Sequence, residues 1–217
     1  MVKITIHTNH AIISNELSFK MSKFAVWKTS KNNIQFSGLA HFIPWNRLVA
    51  TERVPKMNSP DCFTFYYFRG NKKGRGHKLS KLYSYFGIHK ALDGYHNRLN
   101  KNHEHFREFH ENNNLDIWIG ALGDLDQFSP EVVEEIETIF IAMYSDYLTE
   151  NERKKKKTVD SLDKTVCIIN LWYDTEEKPL RIKKESIKHF HDVIVCERDG
   201  KYPRYLVANR LLPWKKK

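Results

Sequence analysis

FTFYYF at residues 63–68 and LYSYFGI at residues 82–88 are the two stretches of sequence that decide the fold. Both are dense in aromatic residues, which favour the pleated surface of a β-sheet, so each stretch predicts a strand. The residues between them include NKKGRGH at 71–77, and this glycine- and lysine-rich run predicts an exposed basic loop. Residues 115–122 return to strand character. We therefore predict a central three-stranded sheet built from these three runs.

Helical periodicity appears on both sides of the third predicted strand. Apolar residues recur at three- and four-residue spacing over 92–99, and a second helical stretch covers 103–110. The clearest helix spans residues 130–148. It begins after Ser129, a good N-cap residue, with proline at the first helical position and glutamates in the first turns. The predicted sheet is therefore flanked by helices.

Changes in pattern along the chain predict three regions. Residues 1–60 contain short strands separated by turn signals, which predicts an N-terminal β-rich lobe. Residues 61–153 hold the predicted sheet and helices, and the lysine run at 154–157 ends this core. Residues 158–217 predict strands, a helix at 183–191 and a final hairpin turned by Asp-Gly. The predicted fold class is α+β: a small mixed sheet flanked by helices, with an N-terminal β lobe and a C-terminal α/β extension.

Charge and composition predict the type of partner. Lysine and arginine total 36 against 26 acidic residues, a formal net charge of +10. Such a surface concentrates polyanions and releases counterions when they bind, so the predicted partner is a nucleic acid. The longest apolar runs are too short to span a bilayer, so no membrane association is expected. Three cysteines, Cys62, Cys167 and Cys196, lie far apart in strand-like runs, which predicts reduced thiols and a cytoplasmic location.

The order of the predicted elements resembles the GIY-YIG nuclease family. An aromatic strand, a basic loop, an aromatic strand ending in glycine, a helix with arginine, a strand and a glutamate-rich helix follow one another over residues 63–151. The two halves of the family's motif correspond to FYY at 65–67 and YFG at 85–87, although the first glycine is missing here. The resemblance implies a metal-dependent endonuclease that hydrolyses DNA, in the manner of a type II restriction endonuclease.

The resemblance also implies a set of catalytic residues. Tyr67 and Tyr85 are expected to position or activate the attacking water. Arg98, on the helix after the second motif, is expected to bind the phosphate through its forked guanidinium, accompanied by His89 and His96. Because neighbours on a strand point to opposite faces, only one of residues 66 and 67 can face this site, and the sequence leaves open which one.

The glutamate-rich helix implies a metal ligand. Glu137 precedes apolar residues at its third and fourth following positions, which matches the family spacing, and Asn151 stands where the motif often ends. The expected cofactor is Mg²⁺, or Mn²⁺, which keeps most of its waters and binds phosphate through the rest of its coordination shell. Glu134 and Glu135 are close alternatives for the same role.

Phosphate contacts are expected from the basic loop, and the expected ligand is double-stranded DNA. The loop residues expected to bind nucleic acid are Arg69, Lys72, Lys73, Arg75 and Lys78. Cleavage of both strands with one active site per chain would favour a homodimer on a palindromic site. The sequence leaves open DNA against RNA, the recognition sequence and the oligomeric state.

Three alternatives are compatible with the same sequence. The first is a non-catalytic, basic nucleic-acid-binding module, in which Trp45 or Trp118 stacks on bases. The second is a ββα metal nuclease, for which the histidines at 103, 105 and 110 are candidates, although they do not share one helical face. The third is a purely structural interaction protein. Dependence on a divalent metal separates the nucleases from the other two classes.

Overall fold

The computed structural model describes residues 27–28, 33–34, 40–48, 64–71, 82–90, 103–105, 115–122, 129–151, 166–176, 178, 180, 186–199 and 202–208. The strands are β1 (Trp27–Lys28), β2 (Asn33–Ile34), β3 (Ala40–Leu48), β4 (Phe65–Gly70), β5 (Tyr83–Ile88), β6 (Asp116–Gly120), β7 (Val166–Tyr173), β8 (Val193–Asp199) and β9 (Tyr202–Ala208). One long helix, α1 (Pro130–Met143), is present in these described segments.

Seven of the strands form one mixed sheet in the order β5-β4-β6-β3-β7-β8-β9. The β3–β7 pair is parallel, and the other pairs in this sheet are antiparallel. Strands β1 and β2 form a separate antiparallel pair. The sheet together with α1 makes the fold α+β, in agreement with the predicted class.

The predicted three-stranded sheet is confirmed. Strand β4 lies between β5 and β6 and is antiparallel to both. The final hairpin is confirmed as well, since β8 pairs with β9. The predicted helix at 183–191 is wrong for the residues that are described, because 186–191 form turns and bends. The helix predicted at 92–99 lies outside the described residues, as does most of the one at 103–110.

The boundaries predicted between the three regions of the chain do not coincide with boundaries between sheets, because strands from all three regions form one sheet. Strand β3 comes from the predicted N-terminal lobe, yet it lies between β6 and β7 in the middle of the sheet. Strands β7, β8 and β9 come from the predicted C-terminal extension and continue the same sheet. Local periodicity predicts that a segment is a strand but carries no information about a partner more than 100 residues away, so the sequence suggested separate units.

Helix α1 begins as the sequence predicts. Ser129 is the N-cap, and its Oγ accepts a hydrogen bond from the backbone nitrogen of Val132 at 3.2 Å. Satisfying a free N–H at the helix start contributes about 1 kcal/mol. The helix ends at Met143 instead of residue 148. Its buried side packs on β5, where the Phe86 and Phe140 rings stack with centroids 4.8 Å apart.

Different segments of the chain pack on the two faces of the sheet. We call the face that carries Phe65, Tyr67 and Phe86 the helix face, because these residues share one buried cluster with α1. We call the opposite face the histidine face. It carries Tyr66 and Tyr85, and it contacts the segment 103–105 through two histidine rings.

Two of the three cysteines are buried in the sheet as free thiols, Cys167 and Cys196. Burial raises the pKa of Cys167 to about 12, so this thiol stays protonated and unreactive at neutral pH. Both observations agree with the predicted core thiols, and Cys62 lies outside the described residues. Among the described residues, no helix is both long and apolar enough to cross a membrane.

Candidate nucleic-acid interface

Tyr67 and Tyr85, which were expected to act together, lie on opposite faces of the sheet. Tyr67 is directly opposite Phe86 in the β4–β5 register, whereas Tyr85 is opposite Phe68. Directly opposed residues share a face and neighbours along a strand do not. Tyr67 therefore belongs to the helix face and Tyr85 to the histidine face, and their hydroxyl groups do not meet at one site, contrary to the prediction.

Tyr66 is the residue that shares a face with Tyr85. Their ring centroids are 6.0 Å apart, and the Tyr66 hydroxyl lies 2.9 Å from Nε2 of His103. The Tyr66 ring passes over Gly87, where a Cβ atom would overlap it, so only glycine fits at this position of the motif. Tyr66 is completely buried. Its hydroxyl group therefore organises the histidine face and is not open to a substrate from solvent.

Of the remaining predicted catalytic and binding residues, the structure describes two, His89 and Arg69. His89 is partly exposed after β5, and its backbone nitrogen donates to the carbonyl of Thr64 at 2.8 Å. Arg69 lies in strand β4, not in the loop. The other predicted residues lie outside the described part of the chain, namely Arg98, His96, Lys72, Lys73, Arg75 and Lys78.

Of the three candidate metal-binding glutamates, Glu137 is the buried one, with 7% of its surface exposed. Glu134 is exposed and forms an ion pair with Lys90, and Glu135 is intermediate in exposure. Because α1 packs on the helix face, Glu137 lies on the same side of the sheet as Tyr67 and on the opposite side from Tyr85. The implied set of Glu137, Tyr67 and Tyr85 therefore does not meet at one site. The described residues contain no group of three His, Cys, Asp or Glu side chains that could hold a metal.

Asn151 has a structural role at the edge of the sheet. Its Oδ1 accepts from the backbone nitrogen of Phe86 at 2.9 Å, and its Nδ2 donates to the Phe86 carbonyl at 2.5 Å. The backbone nitrogen of Glu150 also donates to the Ser84 carbonyl at 3.1 Å. Residues 149–151 thus satisfy the exposed backbone groups of the edge strand β5, which would otherwise be open to pairing with another chain.

A groove of about 350 Å³ opens at one end of the helix face. Its lining combines three cationic side chains with one carboxylate, one phenol and one hydroxyl group. We call it the cationic groove, and the residues that line it are Arg47, Tyr67, Arg69, Asp116, Ser186, Ile187 and Lys188.

The register of three strands positions most of the cationic groove. Arg47 of β3 lies opposite Trp118 of β6, which lies opposite Tyr67 of β4. Arg69 lies two residues further along β4, opposite Asp116. All five side chains therefore point to the helix face.

Arg47 is held in place by two contacts. Its Nε donates to Oδ1 of Asp116 at 2.9 Å, and its guanidinium carbon lies 5.8 Å from the centroid of the Trp118 ring. Asp116 therefore offsets the charge of Arg47. Within the described residues, neither Arg69 nor Lys188 forms an ion pair, so two positive charges in the cationic groove are not offset by a bonded carboxylate.

Tyr67 lies at the floor of the cationic groove with 4% of its surface exposed. Burial raises its pKa to about 12, and the charge of Asp116 acts in the same direction. The charge of Arg69 and a hydrogen bond with Ser84 lower the pKa but do not offset burial. Tyr67 is therefore protonated at neutral pH. It can donate a hydrogen bond to an anion, but it cannot serve as the general base that the sequence suggested as one of its roles.

His189 lies next to Lys188 of the cationic groove, and the charges of the groove affect its pKa. Its ring stacks on Tyr147 with centroids 3.9 Å apart. Burial lowers the pKa of His189, and the charges of Arg69 and Lys188 lower it further. The imidazole is therefore neutral at neutral pH, and the lowering of its pKa is consistent with the positive charge of the groove beside it.

The tryptophans proposed to stack on bases are not available for that role. Trp45 and Trp118 are both completely buried. The indole nitrogen of Trp45 donates to Oδ1 of Asn170 at 2.8 Å, and its ring packs against Trp172 at 6.1 Å. These residues form the core under the cationic groove, so the expectation of base stacking by either tryptophan is wrong.

Sequence reasoning missed most of the cationic groove. It selected Tyr67 and Arg69, but not Arg47, Asp116 or Lys188. Arg47 is an exposed cation near the end of β3, and it follows the apolar helix-face residues Ile43 and Trp45, which is a weak signal for a functional position. Asp116 could be linked to it only through the strand register, and Lys188, in the turns at 186–191, only through the tertiary fold.

Comparison of the chain with protein-family models, curated proteins and solved structures gives no match.

Proposed function

We propose that this protein binds nucleic acid and holds a phosphate group in the cationic groove. The observation that carries the proposal is the convergence of Arg47, Arg69 and Lys188 on one groove, in which Asp116 is the one carboxylate among the described lining residues. Arginine donors form paired, charge-assisted hydrogen bonds to phosphate oxygens. The protonated Tyr67 adds a neutral donor at the floor.

The net charge of the chain supports the same proposal. A formal charge of +10 attracts polyanions over distances longer than a single contact. Binding of phosphates by lysine and arginine releases counterions and so becomes weaker as salt is added. The groove offers few contacts, so it supports binding to the nucleic-acid backbone and does not by itself specify a base sequence.

Fluorescence anisotropy with a labelled DNA duplex tests this proposal. Arg69→Ala and Lys188→Ala should each weaken binding about 10-fold, the effect of losing one charge-assisted contact. Lys178→Ala is the matched control, because Lys178 is an exposed lysine paired with Glu176 and does not line the cationic groove. Binding that is unaffected by both groove variants, or that weakens equally in the control, would contradict the proposal.

Hydrolysis of the bound DNA is the second candidate function, as in a type II restriction endonuclease. Glu137 supports it, because it is a nearly buried carboxylate on α1 at the position that the family spacing implies for the metal ligand. Glu137 would hold Mg²⁺ or Mn²⁺, and the ion would supply positive charge to a phosphodiester undergoing attack. Double-stranded DNA as substrate and a homodimer as the active form belong to this proposal.

Incubation with plasmid DNA separates binding from hydrolysis. If the second function is correct, the protein cleaves DNA with Mg²⁺ and not with excess EDTA. Glu137→Gln should then lose cleavage by orders of magnitude while DNA binding persists. Glu134→Gln is the control, since Glu134 is exposed and paired with Lys90. Cleavage in EDTA, or normal cleavage by Glu137→Gln, would contradict a role for this glutamate in holding a metal.

A further inference from the structure

The charges of the cationic groove specify the kind of phosphate that fits it. Arg47, Arg69 and Lys188 carry three positive charges and Asp116 carries one negative charge, so the lining residues that the structure describes have a net charge of +2. Tyr67 adds no charge because it is protonated. An internal phosphodiester carries one negative charge. A phosphomonoester carries about −1.5 to −2 at neutral pH, which matches the lining more closely.

The shape of the cationic groove points in the same direction. Its volume of about 350 Å³ is at the lower end of the range for small-ligand sites, about 300 to 1,000 Å³. A groove of this size accepts a terminal group more easily than an internal phosphate, which is flanked by sugars on both sides. Tyr67, which is nearly buried, is part of the lining of this groove.

The hydrogen-bonding groups are also suited to a dianion. The Nε of Arg47 is occupied by Asp116, which leaves the terminal nitrogens of this guanidinium as donors. Arg69 and Lys188 are donors only, and the Tyr67 hydroxyl can donate. A phosphomonoester presents three terminal oxygens that accept hydrogen bonds, whereas a phosphodiester presents two. The additional oxygen gives the third cation a partner.

We propose that the cationic groove binds a terminal phosphomonoester at the end of a nucleic-acid strand. This inference rests on the proposed function, because it names the part of the nucleic acid that the groove holds. Arg69 and Lys188 contact the phosphate oxygens, Arg47 is oriented toward them by Asp116, and Tyr67 donates at the floor. Internal phosphates of the same strand lie on the basic surface outside the groove.

Oligonucleotides of one sequence with different ends test the inference. Duplexes with a 5′-phosphate, with a 3′-phosphate or with hydroxyl groups at both ends are compared by anisotropy at one salt concentration. We expect at least one phosphorylated duplex to bind about 10-fold more tightly than the hydroxyl duplex, consistent with one additional charge-assisted contact. Arg69→Ala and Lys188→Ala should remove this preference, and Lys178→Ala should keep it.

Each outcome separates the inference from the proposed function. Equal binding of all the duplexes overturns the terminal phosphate but leaves nucleic-acid binding intact, whereas binding to none overturns both. Competition by inorganic phosphate or a mononucleotide at the same concentration as the phosphorylated duplex identifies a small-molecule site and also overturns the inference. Arg69→Lys keeps the charge while removing the forked donor. A reduced but still measurable preference of this variant for the phosphorylated duplex would support direct contact between Arg69 and the terminal phosphate, independently of effects on folding.

Discussion

Two adjacent residues of strand β4, Tyr66 and Tyr67, are in opposite chemical environments. Tyr66 is packed on the histidine face, where its hydroxyl group contacts His103 and its ring covers Gly87. Tyr67 is on the helix face, at the floor of the cationic groove. The same type of side chain thus serves packing on one face, and on the other face it lines the groove that we propose to bind phosphate. The difference shows that the alternation of a strand, and not the motif as a whole, determines which tyrosine can have a function.

The largest effect is expected from Gly87→Ala, which introduces a Cβ atom into the Tyr66 ring. Overpacking a buried site costs about 1 to 3 kcal/mol, and we expect the upper value because the overlap is with a buried aromatic ring in a sheet. Urea denaturation measures the loss. The double variant Gly87→Ala with Tyr66→Leu removes the ring and should recover part of the stability. If it recovers none, the loss in Gly87→Ala is not caused by the Tyr66 ring.

The second-largest expected effect is a loss of folding stability at high pH, caused by Tyr67 on the helix face. The pKa of Tyr67 is raised in the folded state from about 10 to about 12, so the fold favours the neutral phenol. Its contribution to stability is complete below pH 10 and is lost as the pH rises through 12, an amount on the order of 3 kcal/mol.

Urea denaturation at pH 8, 10 and 11 measures this dependence. Stability should fall above pH 10, and Tyr67→Phe should show a smaller fall because it removes one of the contributing groups. Burial raises the pKa of Tyr144 and Cys167 as well, so part of the fall remains in that variant. An identical pH dependence in wild type and Tyr67→Phe would contradict the buried, protonated phenol.

A smaller effect distinguishes the two tyrosines directly. Tyr66→Phe removes the hydrogen bond with His103 and should cost about 1 kcal/mol of stability while DNA affinity stays unchanged. Tyr67→Phe should weaken DNA binding a few-fold, because a neutral hydrogen bond is lost from the cationic groove. Denaturation and anisotropy on both variants measure the two effects. A reversed pattern would mean that the histidine face holds the binding site.

Much of the fold was predictable because its signals are local. Aromatic and apolar alternation identified β4, β5, β6 and β7, and the Ser-Pro start identified α1. The position of β3 in the centre of the sheet was not predictable, because its partner β7 lies more than 100 residues away. The turns at 186–191 were predicted as a helix, because the spacing of Ile187 and Phe190 resembles helical periodicity while both are buried in the sheet's core cluster.

The candidate site was less predictable than the fold. Arg47 and Asp116 form an ion pair across 69 residues of sequence, and only the register of β3 with β6 brings them together. The charge of the chain predicted a basic surface but not where its cations converge. Tyr67 and Arg69 were found because they belong to the aromatic strand, although the role of Tyr67 as a base was excluded only by its burial.

The salt dependence of DNA binding tests the central claim most directly, because it counts the phosphate contacts made by the cationic groove. The slope of log Kobs against log salt decreases by about 0.9 for each phosphate contact that is lost. The double variant Arg69→Ala with Lys188→Ala should therefore reduce the magnitude of the slope by about 0.9, because both side chains contact the same phosphate. The control, Lys90→Ala with Lys178→Ala, removes two exposed charges outside the groove and should leave the slope unchanged. An unchanged slope in the groove variant while DNA still binds would contradict the claim that this groove holds phosphate.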